Sequence, residues 1–308
     1  MATLFAIFGM VASFGTGNIT QANAITANII QQSSDIASPL AIAIVLLILS
    51  GVILIGGVKN IGMVAWVLVP GMAIIYILGG LAILIINYGK VLGAFPQIFS
   101  SAFSDHAAIG GFAGSTLAIT IRMSMARGLF SNEAGLGSAS ITHATAIVKN
   151  PIKQDLLGML DPFLDTIIVC SISALVNLVS GQWTATGVNN AATLTSISFN
   201  HALPGGLSSW LVTITLILFA FSTILGWCVY GERCTIYLFG HKAALPFRII
   251  FTLAVPISAL SKLTLVWNLA DLFNGLMAIP NLIALLLLSP VTFKLAKEFF
   301  NNPKNLED

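Results

Sequence analysis

RGLFSNEAGLGSASITHATA, residues 127–146, is the stretch whose reading decides the fold. It follows an apolar run, Gly110–Met125, long enough to be helical. It then gives up the apolar pattern for Ser, Asn, Glu and Gly among other small residues, and returns to a helix-friendly composition at Ser138. A membrane helix that breaks leaves backbone N–H and C=O groups without intrahelical partners. Hydrocarbon cannot satisfy them, so such a break is buried in protein or lines a water-filled cavity. Half-helix ends are also where secondary transporters hold ions and the charged ends of small substrates.

The composition fixes the solvent. Of the 308 residues, 57% are hydrophobic and 8% charged, against roughly 25% charged in a soluble domain. Mean hydropathy is +0.96. The chain is therefore an all-α integral membrane protein of the lipid bilayer. A net charge of +2 is too small for a nucleic-acid partner, and none is expected. Cys170, Cys228 and Cys234 lie in or beside apolar runs without a C-x-x-C, which makes them reduced packing residues. No Lys or Arg precedes Lys59, which argues against a cleaved signal peptide. The four histidines are scattered and form no H-E-x-x-H. There is no P-loop, and no glycine cluster follows a strand pattern. The reading is accordingly not an enzyme, with no organic cofactor.

Eight apolar runs approach the ~20 residues needed to cross a bilayer: Leu4–Ala27, Leu40–Gly56, Val64–Asn87, Gly110–Phe130, Leu156–Ser180, Trp210–Tyr230, Phe247–Leu260 and Leu269–Leu288. Positive charge orients them. With the C-terminus in the cytoplasm, that side carries Lys59, Lys149, Lys153, Arg233, Lys242, Arg248, Lys294, Lys297 and Lys304, and the other side only Lys90 and Lys262. Both termini are expected in the cytoplasm, in a plasma (inner) membrane. The longest connections, Lys90–Ala107 and Gly181–Ser209, fall outside, and connections of that length carry function or short surface helices. After Ser289 the pattern predicts a short basic helix and a solvated end. The whole reads as one transmembrane domain, 1–308.

Several polar residues sit where lipid would penalise them. In SFGTGNITQAN, Asn18 and Gln21 are three apart and share a helix face. That face either hydrogen-bonds another helix, with Gly allowing close approach, or touches a ligand. Arg122 and Arg127 in the fourth span need partners, and Glu133 and Asp165 are the candidates; a structural ion pair is favoured over a transport role for Arg122. Asp161 and Asp165 can relay protons, but Asp161 before Pro162 reads as a helix-start residue. In the sixth span Ser222 and Thr223 offer hydroxyls, and the carbonyl of Phe219 lies one turn earlier. Neutral hard oxygens suit Na⁺; ordinary back-bonding of Ser and Thr to the preceding turn is the alternative. Trp227 either walls a small pocket or anchors the membrane interface. Asp271, Asn274, Pro280 and Asn281 follow in the eighth span, where Pro280 predicts a kink.

On these residues the chain resembles the alanine or glycine:cation symporter family. The motifs, in order, are SFGTGNITQAN (13–23), GGVKNIGMVAWVLVPGMAIIYIL (56–78), ARGLFSNEAGLGSA (126–139), NPIKQDLLGMLDPFLDT (150–166), FSTILGWCVYGE (221–232) and WNLADLFNGLMAIPNLIALLLLS (267–289). The resemblance implies a leucine-transporter-like bundle of two inverted five-helix repeats. Residues 1–87 would supply the last three helices of the first repeat, 110–290 the whole second repeat, and 291–308 a cytoplasmic tail. The broken helix opening the first repeat would be missing, so the resemblance implies an N-terminally truncated carrier of about eight spans, with the missing helices as a possible separate partner chain. Ser222 stands where the family usually has Thr, Ser140 where it has Pro, and Asp161-Pro162 where a Gly-Val pair is usual.

The resemblance also implies roles. Asn18, Gln21, Ser131, Asn132, Glu133, Ala134, Gly135 and Trp227 would bind a small neutral amino acid, alanine or glycine. Phe219, Ser222 and Thr223 would hold the coupling sodium ion. The alternatives are a non-transporting fragment of such a carrier and a membrane ion pathway of another class.

Overall fold

The computed structural model describes residues 1–33, 36–103, 113–185, 193–203, 206–261 and 263–301. Among the described residues every regular element is helical. In chain order they are α1 (Ala2–Gln32), α2 (Pro39–Ile55), α3 (Val58–Ile86), α4 (Tyr88–Phe103), α5 (Ala113–Asn132), α6 (Ser138–His143), α7 (Pro151–Ser180), α8 (Gln182–Ala185), α9 (Leu194–Ala202), α10 (Gly206–Phe239), α11 (Ala244–Ala259) and α12 (Leu263–Phe300).

Local chemistry explains the ends. Asn150 caps α7 by accepting from the Ile152 N–H at 2.9 Å, with Pro151 in the first turn where no N–H is needed. Gly181, left-handed at φ 71°, ends the same helix. Asp161 lies within α7, in the first turn of the helical piece that restarts at Leu160, so its helix-start reading holds for that piece and not for the whole span. It makes no capping bond there.

Among the described residues six helices are long and apolar enough to cross a membrane: α1, α3, α7, α10, α11 together with the 3₁₀ turn His241–Ala243 that leads into it, and α12. Two of the eight expected spans fall outside that set. α2 is apolar but 17 residues long. α5 has 20 residues, yet Arg122, Arg127 and its Ser and Thr residues dilute it. The long connections hold α4, α8 and α9.

The basic helix expected after Ser289 forms as the end of a longer one. α12 runs unbroken for 38 residues through Pro280 and Pro290. That is about 57 Å at 1.5 Å per residue, nearly twice the hydrocarbon thickness of ~30 Å. Its last turns carry an i,i+4 pair, Lys294–Glu298, at 4.0 Å. Lys304 lies outside the described residues.

α10 is the spine. Its apolar stretch is the most buried of the six spans, and α12's the least. Residues 220–229 of α10 pack with α1, α2 and α11 around Phe251 and Leu225. Val212, nearer its start, joins Tyr76 of α3, Val176 of α7 and Phe199 of α9. Trp227 packs with Ala12, Leu136 and Met277. Lipid offers helices no hydrophobic drive to associate, so close packing at small residues must hold them. Gly231 meets Ser13 and Phe247, and Gly80 meets Ile172, at distances a Cβ could not tolerate.

Candidate functional site

The break falls between α5 and α6. Glu133 (φ 54°), Gly135 (φ 79°) and Gly137 (φ 88°) take left-handed backbone that ends the helix. Glycine does this without a Cβ penalty. Glu133 is the one non-glycine residue with positive φ among the described residues, at a cost of about 1–3 kcal/mol that the surroundings must offset. They do so with side-chain bonds. Ser138 donates its hydroxyl to the Glu133 carboxylate. Asn132 Oδ1 accepts from the Ala134 N–H at 2.9 Å, and its Nδ2 donates to Thr166 Oγ1 at 2.9 Å. Ser131 donates to the Asp165 carboxylate at 2.8 and 2.9 Å. Asn281 Nδ2 donates to the Gly135 carbonyl at 2.8 Å. The break is thus fastened to α7 on one side and α12 on the other.

The α7 residues that receive it, Asp165 and Thr166, belong to a π-helical stretch, Phe163–Cys170. α1 carries a second one, Ser13–Ile19, covering most of SFGTGN. Such i→i+5 turns inside α-helices concentrate at functional sites. In α1 the π turn lies wedged between helices. A Cβ on Gly17 would sit 2.0 Å from Trp227 Cβ, and one on Gly15 would sit 3.5 Å from Ala270 Cα. Thr16 donates to Asn274 Oδ1 at 2.8 Å.

Asn18 and Gln21 diverge. Asn18 is wholly buried and donates to the Phe251 carbonyl of α11 at 2.7 Å, with no partner on its Oδ1. Gln21 reaches back to the Thr16 carbonyl at 3.3 Å. The Asn18 bond is the interhelical contact left open in the sequence.

Trp227 is 1% exposed, so it is no interface anchor. It fills the space between the α1 π turn and the break, against Leu136. Its indole N–H makes no hydrogen bond, although it lies beside the Glu133 carboxyl. Ser222 and Thr223 donate to the same Phe219 carbonyl, at 2.8 and 2.9 Å. The three oxygens therefore gather at one point on α10, by the back-bonding that the sequence left as an alternative. A hydroxyl that donates to a carbonyl keeps its lone pairs for a cation.

Two cavities flank the break. One, of about 590 Å³, is lined by Asn132, Glu133, Ala134, Gly135, His143, Asp155, Asp161 and Asn281, among others. The second, of about 630 Å³, lies between α5 and α12 and includes Arg122, Phe130, Leu136, Asp271 and Asn274. Of the proposed ligand residues, Asn132–Gly135 line the first. Ser131, Asn18, Gln21, Trp227, Phe219, Ser222 and Thr223 line neither.

The arginine partners expected from sequence are corrected. Arg127 pairs with Asp271 of α12, not with Glu133 or Asp165. Its guanidinium also lies 4.3 Å from the Trp267 ring centroid and 5.5 Å from that of Phe130. Arg122 makes no ion pair among the described residues. The two partners are 144 positions apart, and no local pattern announces such a pair. Sequence reasoning also missed the bidentate pair of Arg248 with buried Glu232, at 2.7 Å on both bonds. A Glu just past the apolar run that ends at Tyr230, and an Arg at the start of the next run, were the available signal.

The model of the sodium:alanine symporter family matches residues 1–308. The chain belongs to the sodium:alanine symporter family. An uncharacterized transporter of Haemophilus influenzae is 44% identical over 99% of this chain and 66% of its own length. The sodium/alanine symporter AgcS of Methanococcus maripaludis is likewise 44% identical, over 99% of this chain and 66% of its own length. The probable sodium/glutamine symporter GlnT of Bacillus subtilis is 34% identical over 100% of this chain and 63% of its own length. The chain thus spans about two thirds of these relatives. As a member of the sodium:alanine symporter family with six helices apolar enough to cross a bilayer, it is a multi-pass membrane protein.

Proposed function

We propose that this chain works in sodium-coupled symport of a small neutral amino acid, alanine or glycine, across the plasma membrane. The observation that carries the reading is the 44% identity to a protein named as a sodium/alanine symporter, over nearly the whole chain. The helix break lining a cavity supports it physically. At Glu133–Gly137 the backbone leaves the helical course beside a cavity, the kind of break at which secondary transporters bind small substrates. Ser131, Asn132, Glu133, Ala134 and Gly135 would bind the amino acid. Trp227 would limit its side chain, and Asn18 and Gln21 would support the wall behind. Phe219, Ser222 and Thr223 would hold Na⁺.

The architecture proposed with this function has eight spans of a leucine-transporter-like inverted repeat. Residues 1–87 would end the first repeat, 110–290 would form the second, and both chain ends would face the cytoplasm. Sodium entry would favour one occupied conformation, and one helix group would rock against the other about the break. No covalent step is involved. Because the chain spans about two thirds of its relatives' length, the activity is proposed for the carrier in which the remaining third is also present.

The test is uptake of radiolabelled alanine and glycine into proteoliposomes. It is run with this chain alone and with the chain joined to the remaining third of a family member. Uptake that requires an inward sodium gradient in either arm is expected. Its absence in both, or uptake indifferent to sodium, overturns the proposal. Glutamine as competitor tests the larger substrate that one relative's name carries.

A further inference from the structure

The two cavities stack along the same pair of elements. α12 lines one with Asp271, Asn274, Gly275 and Ala278, and the other with Asn281 and Leu285. The α5–break segment lines one with Arg122 through Phe130, and the other with Asn132 through Gly135. Leu136, 2% exposed, lines the α5–α12 cavity and directly follows Gly135, whose carbonyl Asn281 holds. Their charges differ. The cavity holding His143 carries Glu133, Asp155 and Asp161, while the α5–α12 cavity carries Arg122 and an Asp271 already taken by Arg127.

Arg122 is the unexplained group. It lies on α5 and is exposed, without an ion pair or hydrogen bond among the described residues. A charged side chain on a membrane-spanning segment marks a substrate or ion pathway, and α5 is one of the spans proposed with the symport function. Its planar fork of donors fits a carboxylate bidentately. Around it Met125, Leu129, Phe130, Leu136 and Ala278 supply apolar wall. Asp271 and Asn274 line the same cavity; their oxygens already accept from Arg127 and Thr16 and keep further lone pairs. A cation, apolar walls and acceptors lining one cavity complement a zwitterion bearing an apolar side chain.

From this arrangement we infer that the α5–α12 cavity is a second amino-acid site, where Arg122 takes the α-carboxylate before the molecule passes Leu136 to the break. The inference rests on the symport reading for the identity of its ligand. It adds a waiting site whose selectivity is set by Arg122, separate from the residues of the break.

The test is equilibrium binding of radiolabelled alanine to the purified 308-residue chain in nanodiscs of neutral lipid. Arg122→Gln is expected to weaken binding about tenfold or more, the equivalent of one lost charge-assisted contact. Arg122→Lys is expected to restore part of it. Alaninamide, which lacks the carboxylate charge, should compete at least tenfold more weakly than alanine. Gly275→Leu supplies a variant that leaves Arg122 in place. A Cβ at Gly275 meets open space, so the leucine can be accommodated and should block binding by filling the cavity.

Unchanged affinity in Arg122→Gln, or equal competition by alaninamide, overturns the inference. So does displacement of alanine when phosphatidylglycerol replaces the neutral lipid, which would assign the guanidinium to a lipid phosphate. Arg122-dependent alanine binding without sodium-driven uptake in either uptake arm would sink the symport reading and leave this site standing.

Discussion

Asn281 Nδ2 donates to the carbonyl of Gly135 at 2.8 Å, across 146 positions of sequence. That single bond joins the broken segment to α12, and both of its residues line the cavity at the break. The Gly135 carbonyl has left the helical pattern because its own residue is left-handed. Asn281→Leu should therefore strand a carbonyl, with a loss of about 1–3 kcal/mol. A lowered thermal unfolding temperature of the purified chain checks it. An unchanged temperature would mean the bond contributes nothing.

Gly17 and Trp227 make the closest helix contact in the site, with 2.0 Å between a notional Cβ and Trp227 Cβ. The clash is with the stem of the tryptophan, which no rotamer change can move. Gly17→Ala should cost about 1–3 kcal/mol by overpacking. Gly62→Ala, where a Cβ meets nothing within 4 Å, is the matched control and should be neutral or slightly stabilising. Equal unfolding temperatures for the two variants would contradict the packing of α1 on α10.

Glu232 and Arg248 form a buried bidentate pair, with side-chain exposures of 3% and 18%. Arg248→Met alone leaves a buried carboxylate without its partner and should destabilise by about 3–5 kcal/mol. Glu232→Leu with Arg248→Met removes both charges and should recover much of that loss. A double-mutant cycle on thermal stability reads the coupling directly. A double variant no better than the single one would remove the pair's structural role.

Ser222 and Thr223 share the Phe219 carbonyl. Either hydroxyl alone leaves one oxygen beside that carbonyl. Ser222→Ala and Thr223→Ala should each weaken sodium dependence, and the double variant should abolish it. Sodium-dependent thermal stabilisation of the purified chain is the measurement. Its full retention in the double variant would move the ion elsewhere.

What the sequence made legible follows from local chemistry. The break at SNEAG was readable because Gly135 and Gly137 are the residues that left-handed backbone calls for. The apolar runs were readable because lipid demands them, and most of the expected spans reappear as helices. What stayed hidden was set by distant partners. Asp271 was noticed as a polar residue in a span, yet nothing near it names Arg127, and the nearer Asp165 and Glu133 were the natural guesses. The π turn at Ser13–Ile19 shifts side chains off the α-helical period. Asn18 therefore turns to Phe251 while Gln21 returns to Thr16, although α-helical spacing gave them one face. The unbroken run of α12 through Ser289 and Pro290 was equally invisible, since proline in sequence argues for a stop or a kink.

Coupling between the two ligands is the central claim, and thermodynamic linkage makes it reciprocal. The most direct test adds alanine to proteoliposomes, carrying the chain joined to the remaining third of a family member, and follows entry of radioactive sodium. The account predicts that alanine accelerates sodium entry, and that Ser222→Ala with Thr223→Ala removes the acceleration. Sodium entry at the same rate with and without alanine would contradict it.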